Sequence, residues 1–573
     1  MERRTFLKIL SSAGIVSLVS PTFAMEVCKN KVSKSSSALL ESAFRNPPFS
    51  SGVYTWWHWM NGNITKDGIT RDLEAMKANG IAGYQLFEAG SGIPIGPVES
   101  LSDEWVDLIL HTLKESERLG LEFAMHNCPG WSSSGGPWIT PDKAMQIITW
   151  SETKITGGKQ VRIQLPTPKH MFDYYIDTYC LAIPANMKVI PRLSILELSN
   201  RLDKDGVLTW DVPTGEWLIM RFGQTAKDQK NKSAPSKSTG LDCDKFSTEA
   251  LDYHLNCMFK RLMPAMEKIA KHSKIGLLID SYETGDQDWT SDMPAYFEQS
   301  HGYELYPFLP VLANKIVESE ESTKRFLFDF RRVRADMFAE RYYGHFQKRC
   351  KEKGIITYTE PYGGNMMEEL QVAQQLDINM GEFWCGQTVL WANYKYNRTV
   401  KQVASIAHTL GGKVVGAEAF TSEPDADKWL QYPYALKSLG DYMFTRGLSR
   451  IYFHRFAHQP HPTAAPGMTM GAWGLHFDRT NTWWKPGKAW IEYLNRCQYI
   501  FQSSTFYGDI LYHNGDDSFG STIEPEQTLL APPEGYDYDM VNTEMLDKAH
   551  IKDGKILFPA TRFDGYKLLV LLK

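Results

Sequence analysis

The chain lacks every cysteine pattern that would settle a class. Its eight cysteines, Cys28, Cys128, Cys180, Cys243, Cys257, Cys350, Cys385 and Cys497, are scattered and include no Cys-x-x-Cys pair. That spacing offers no zinc site and demands no disulfide framework, so most of them read as small buried apolar groups. A block of like charge is missing too: 62 basic against 67 acidic residues leave a net charge of -5. Without a basic stripe, nucleic acid is excluded as an expected partner. No internal repeat or low-complexity tract occurs. The apolar run Ile9 to Val19 near the start falls short of the about 20 residues that a membrane-spanning helix needs.

Aromatic side chains, by contrast, are abundant: 13% of the chain, with 17 tryptophans and 27 tyrosines. They suit a large core and equally suit sugar stacking, since their rings offer flat apolar faces with a polar tip. With 573 residues, more than one ordinary domain is expected. Arg3-Arg4-Thr5-Phe6-Leu7-Lys8, the apolar run after it and Thr22-Phe23-Ala24 read as an export signal over 1–24. The paired arginines resemble a twin-arginine signal, with an ordinary secretory signal as the alternative. A periplasmic or extracellular location is therefore expected, with 25–45 as a spacer rich in Ser and Lys near its start.

Strand-like and helix-like stretches alternate along the middle of the chain, the pattern of an α/β architecture. Val53 to Trp57, Tyr84 to Phe87, Leu121 to His126, the run from Ile275 before Glu283, Ile355 to Glu360, Ile378 to Trp384, Val414 to Glu418 and Arg450 to His454 make eight candidate strands. Eight is the number that closes a (β/α)8 TIM-like barrel, expected over 46–505. Between about 143 and 240 the pattern changes to period-two alternation with turn residues, which predicts a β-rich insertion. Asp509 to His513 and Tyr566 to Leu571 predict strands of a further α/β domain over 506–573. The sequence stops two residues after the second, so this domain is expected to be incomplete.

Two glutamates end apolar runs: Glu283 follows Ile275-Gly-Leu-Leu-Ile-Asp-Ser-Tyr, and Glu418 follows Lys413-Val-Val-Gly-Ala. Barrel enzymes keep catalytic groups at strand C-terminal ends, and a carboxylate pair is the minimum for acid/base hydrolysis of a glycosidic bond. A general acid needs desolvation or a nearby anion to hold its proton, and Asp280 is placed to supply that charge. Glu360 and Glu382 are two more strand-end carboxylates. They suit calcium, which takes oxygen ligands, or hydroxyl recognition, and either could replace one of the first pair. His126, Asn127, Trp131, Asp280, Trp384, His454 and His458 stand at or just beyond strand ends and are candidate sugar contacts; a satisfied buried group is the alternative for each histidine.

Several motifs then occur in order: Trp57-His-Trp-Met-Asn-Gly-Asn63, His126-Asn-Cys-Pro-Gly-Trp-Ser-Ser-Ser-Gly-Gly-Pro-Trp138, Gly240-Leu-Asp-Cys-Asp-Lys245, Asp280-Ser-Tyr-Glu283 and His458-Gln-Pro460. Together they resemble glycoside hydrolase family 106, the α-L-rhamnosidases, from about Phe49 to Phe501 and beyond. The resemblance implies an inverting mechanism with Glu283 as general acid and Glu418 as general base. It also implies a calcium ion that contacts sugar hydroxyls, and a carbohydrate substrate carrying terminal α-L-rhamnose. For inversion the two carboxyls should stand roughly 6.5–9.5 Å apart. Members of the family are longer, with further β-rich domains after the barrel. A β-galactosidase-like barrel enzyme and an inactive carbohydrate-binding relative remain as alternatives. The sequence leaves the linkage, the aglycone and the oligomeric state open.

Overall fold

A computed structural model describes residues 34–572 except 91, 132–133, 386–389, 413, 423–428, 471–473 and 516–521. The expected export signal lies outside the described residues. Part of the expected spacer is ordered as a helix, Lys34–Arg45.

Eight parallel strands close into a barrel: β1 (Tyr54–Met60), β2 (Gly83–Ala89), β3 (Glu122–His126), β4 (Ile275–Ile279), β5 (Ile356–Thr359), β6 (Ile378–Cys385), β7 (Gly416–Ser422) and β8 (Arg450–Ala457). Each pairs with its sequence neighbour, and β8 returns to β1. Near-continuous burial explains why these strands read as apolar runs rather than as alternation. The helices obey local rules. Thr65 caps Lys66–Asn79 by accepting the Gly68 N–H at 3.1 Å, and Gly80 ends that helix at φ +87°. Ser102 and Gly120 do the same for Asp103–Leu119. Before β4 the chain forms two successive helices, with Pro264 in the first turn of the second: Thr248–Phe259 and Met263–Ala270.

The barrel interior is aromatic. Trp56 stacks on Phe87 at 4.3 Å between ring centres, and Phe87 stacks on His126 at 5.3 Å. This column fills the barrel beneath the strand ends and gives the site a floor. The insertion between β3 and β4 is antiparallel, as its alternation predicts. Its main sheet orders Gln146–Thr156, Glu216–Ala226, Ile176–Pro184 and Leu196–Glu197. The chain leaves this sheet and returns to the barrel mouth through a loop over 227–240.

After the last barrel helix, Lys488–Ser503, come three parallel strands: β9 (Ile510–His513) in the centre, flanked by β10 (Tyr538–Val541) and β11 (Leu568–Leu571). β10 is missing from the sequence expectations because its four residues, Tyr-Asp-Met-Val, carry a charge amid a polar stretch. The sheet packs on the barrel helix Leu390–Leu410, sharing an apolar cluster with Ile406, Leu370 and Ala373. Leu568 and Leu571 at its edge are about half exposed. Five of the seven cysteines among the described residues are buried, as small apolar groups would be.

Candidate active site

A cleft of about 1050 Å³ opens at the C-terminal ends of the barrel strands. Trp56, Asp280, Glu283, Glu382, Trp384, Glu418 and His454 all line it. Glu382 and Glu418 are direct register partners on β6 and β7, so the parallel ladder places the two carboxylates side by side. Asp280 and Glu360 follow the last residues of β4 and β5. The two loops beyond them are tied together: the Tyr282 N–H donates to Tyr362 O at 2.9 Å, and the Gly364 N–H donates to Tyr282 O at 3.3 Å. Gly363 sits between them at φ +117°, where a Cβ would come within 2.2 Å of Tyr282 O.

The floor carries a concentration of negative charge. Burial pushes the Asp280, Glu360 and Glu418 carboxyls well above the ordinary range, and repulsion from the surrounding carboxylates adds to it: Glu283 and Glu382 on Asp280, Asp280 and Glu418 on Glu360, Glu382 and Asp280 on Glu418. One oxygen from each of the three lies within 4.8 Å of those of the other two. Asp280 Oδ1 and Glu360 Oε1 are buried with no hydrogen-bond partner. Hard, convergent, unsatisfied oxygens are what a divalent cation such as calcium requires. Glu382, beside Glu418 on the ladder, is not one of these three. Tyr362 OH reaches both Glu382 Oε2, at 2.8 Å, and Glu360 Oε2, and Trp384 Nε1 donates to Glu382 Oε1. Of the two glutamates expected to bind calcium, Glu360 thus belongs to the cluster and Glu382 borders it.

Glu283 occupies the opposite setting. Its side chain is 40% exposed at the mouth, three strand positions around the ring from Glu418. Trp131 Nε1 donates to its Oε2 at 2.7 Å, and Lys232 Nζ lies 3.7 Å from the same oxygen. Glu418 is 5% exposed, accepts from Thr421 Oγ1, and faces His454 Nδ1 at 3.4 Å. His454 and His58 are driven well down from the usual histidine value, chiefly by burial. Both are therefore neutral at ordinary pH, able to donate with one ring nitrogen and accept with the other.

Three expected sugar contacts are not among the lining residues. His126 is fully buried in the aromatic column, and burial pushes its pKa down to about 4. Its Nε2 accepts the Asp280 backbone N–H at 3.4 Å, so it pins the strand end that carries Asp280. The Asn127 amide donates to Leu278 O at 2.9 Å and accepts from Ser134 Oγ, which joins the loop to β4. His458 pairs with the buried Asp72 at 2.8 Å; Asp72 also accepts from Arg479 Nε at 2.7 Å and ties the loop after β8 to the helix after β1. In each case strand-end placement is met by a neighbouring polar group that takes the side chain inward.

The cleft also holds His58, Lys232, Tyr362, Arg398, Thr421 and Met470, none of which the sequence singled out. His58 lies inside a quoted motif, and Tyr362 stands two residues beyond the candidate Glu360, so both were within reach. Lys232 sits in a polar loop and Arg398 on a long helix, where nothing local marks them.

A closed parallel barrel that converges carboxylates and aromatic rings on a cleft at its strand ends is an arrangement that barrel glycoside hydrolases use. The chain belongs to glycoside hydrolase family 106: the family model described as alpha-L-rhamnosidase matches residues 45–174 and 169–573. A rhamnosidase from Novosphingobium sp. PP1Y superposes with a TM-score of 0.84 at 24% identity, over 93% of this chain and 67% of that one. A protein of Formosa agariphila named as a putative beta-glucuronidase is 40% identical over 552 residues, 91% of this chain. The chain spans about half the length of this curated relative, 46%.

Proposed function

We propose that the chain hydrolyses terminal α-L-rhamnosides with inversion, Glu283 serving as general acid and Glu418 as general base. The observation that carries this reading is the contrast between the two glutamates across one cleft, within a chain of this family. A general acid must reach the leaving-group oxygen, and Glu283 at the mouth stands where a leaving group points outward. A general base must hold a water against the other face of the sugar ring. Glu418 sits deep, with Thr421 and His454 fixing its carboxylate. Trp56, Trp131 and Trp384 supply apolar faces for the ring.

Asp280, Glu360 and Glu418 would hold calcium, with His126 pinning the strand end that carries Asp280. Calcium when bound supplies positive charge that keeps these three carboxylates ionised together and an acceptor site for sugar hydroxyl oxygens. A carboxylate has two oxygens, so Glu418 can serve such a cluster with one and a water with the other. Exhaustive chelation should lower activity and added calcium restore it. Full activity in protein found metal-free by elemental analysis would remove the ion from this reading.

The name of the Formosa relative favours a second reading, hydrolysis of β-glucuronides. A panel of aryl glycosides separates the two. Release from the α-L-rhamnoside, with the β-anomer of rhamnose as first product by NMR, supports the proposal. Turnover of the β-D-glucuronide alone overturns it.

A further inference from the structure

We propose that Lys232 selects substrates whose leaving-group sugar bears an anionic substituent, a carboxylate or a sulfate, beside the cleaved bond. This rests on the glycosidase reading above, with Glu283 as the acid. The lysine lines the cleft, and its Nζ is 3.7 Å from Glu283 Oε2. A general acid has to lie within hydrogen-bond reach of the departing oxygen. The first ring on the leaving side must therefore pass close to the ammonium.

The loop that carries Lys232 is pinned. Gly130 adopts φ +85° so near to it that a Cβ there would fall 2.1 Å from Lys232 O. The Trp131 N–H donates to that carbonyl at 3.3 Å, and the Gly90 N–H donates to Ser233 O at 2.7 Å. The Asn231 side chain, 2% exposed, donates to Pro129 O and Ser238 O, each at 3.0 Å. The base of the side chain is thus fixed against the Trp131 turn, while 53% of the side chain remains accessible. A compact ammonium on such a stem acts as a point charge and suits carboxylate or sulfate equally.

Among the described residues, Arg398, Lys230 and Lys227 are turned elsewhere. Arg398 donates to both oxygens of Glu369, at 2.5 and 3.0 Å. Lys230 faces Asp228 at 3.7 Å, and Lys227 donates to Asp286 O at 2.5 Å. Lys232 instead rests on the acid itself. An anionic leaving group would draw the ammonium towards its own substituent, so the contact that recognises the substrate also frees Glu283 to address the glycosidic oxygen.

The test uses three α-L-rhamnosyl disaccharides whose leaving sugar is glucuronate, glucose 6-sulfate or glucose. A half-exposed ion pair is worth about 1 kcal/mol, so the anionic substrates should show about fivefold higher kcat/KM than the neutral one at low salt. High salt should compress the ratio. Lys232→Ala should bring it towards one, and Lys232→Arg should keep it. The carboxylate and sulfate arms show which anion is taken. A ratio of one in the wild type, or a ratio that Lys232→Ala leaves intact, overturns the proposal. If none of the three is hydrolysed, the rhamnoside reading fails separately. Lys232 is then judged by NMR titration with glucuronate against glucose: tighter glucuronate binding that is lost in Lys232→Ala sustains it, and equal binding overturns it.

Discussion

Two regions of this chain bury carboxylates to the same depth and treat them in opposite ways. At the contact between the C-terminal sheet and the barrel, acids meet cations. Glu369 is 1% exposed and takes two bonds from Arg398 together with the backbone and hydroxyl of Thr522. Asp539 is fully buried, with His408 Nδ1 at 2.9 Å and Tyr566 OH at 2.6 Å. On the cleft floor, Asp280, Glu360 and Glu418 are just as buried but face one another. Burying a charge without a partner is costly. Glu369 and Asp539 avoid that cost through their cations; the cleft floor maintains it, the mark of a site organised for a ligand rather than for the apo fold.

The contrast breaks most visibly in catalysis. Glu283→Gln and Glu418→Gln keep the shape of each side chain and remove its proton chemistry, so each should lower kcat by about 10²–10⁴-fold on an unactivated glycoside. Circular dichroism and the thermal midpoint should stay near wild type. Rates close to wild type in either variant would strip that residue of its role.

On the docking side the same substitution should act on stability instead. Glu369→Gln leaves Arg398 partly buried without its counter-charge, a change that typically costs about 3–5 kcal/mol. Equilibrium urea unfolding should show the loss. An unchanged midpoint would mean that the pair is no stronger than a surface ion pair.

Acid should also separate the two regions. Burial alone would raise Asp539, but His408 and Lys401 outweigh it and hold its carboxyl below the ordinary value of 3.8. A carboxyl depressed in the folded state contributes stability that is complete above its unfolded pKa and is lost as pH falls through the folded one. The sheet β9–β11 should therefore loosen below about pH 4. Hydrogen exchange should show its amides losing protection before those of the barrel strands. Simultaneous loss in both would show that sheet and barrel unfold as one unit.

The sequence made the barrel legible because its signals are local and repeat. Eight apolar runs separated by capped helices leave few other closures, and the Thr65, Gly80 and Gly120 punctuation matches the helix ends to within a residue. Carboxylates at strand ends were legible for the same reason, since the end of an apolar run fixes where a side chain emerges. What those side chains meet was not. His126, Asn127 and His458 turn inward because Asp280, Leu278 and Asp72 wait there, partners remote in sequence. Lys232 and Arg398 reach the cleft through a loop and a helix whose local pattern carries no trace of the destination. β10 escaped because four half-polar residues make no periodicity.

The smallest expected effect is the most discriminating, and it concerns Glu360. Its carboxyl is fully buried, is raised by burial and then by Asp280, Glu418 and Glu382, and has one oxygen without a partner. In metal-free protein these groups only repel or share protons, so Glu360→Gln removes a cost and should leave stability unchanged or raise it by about 1 kcal/mol, as when buried charges are replaced by neutral groups of similar shape. That is the reverse of Glu369→Gln, although both residues are buried glutamates in the same barrel. Added calcium supplies the contrast within a single experiment. A ligand that binds only the folded state stabilises by mass action, so calcium should raise the melting temperature of the wild type and raise that of Glu360→Gln less. Glu382→Gln, which lies outside the trio, should keep the calcium response. Loss of apo stability in Glu360→Gln together with an unchanged calcium response would make Glu360 a structural acid like Glu369, and the division between the two regions would fall.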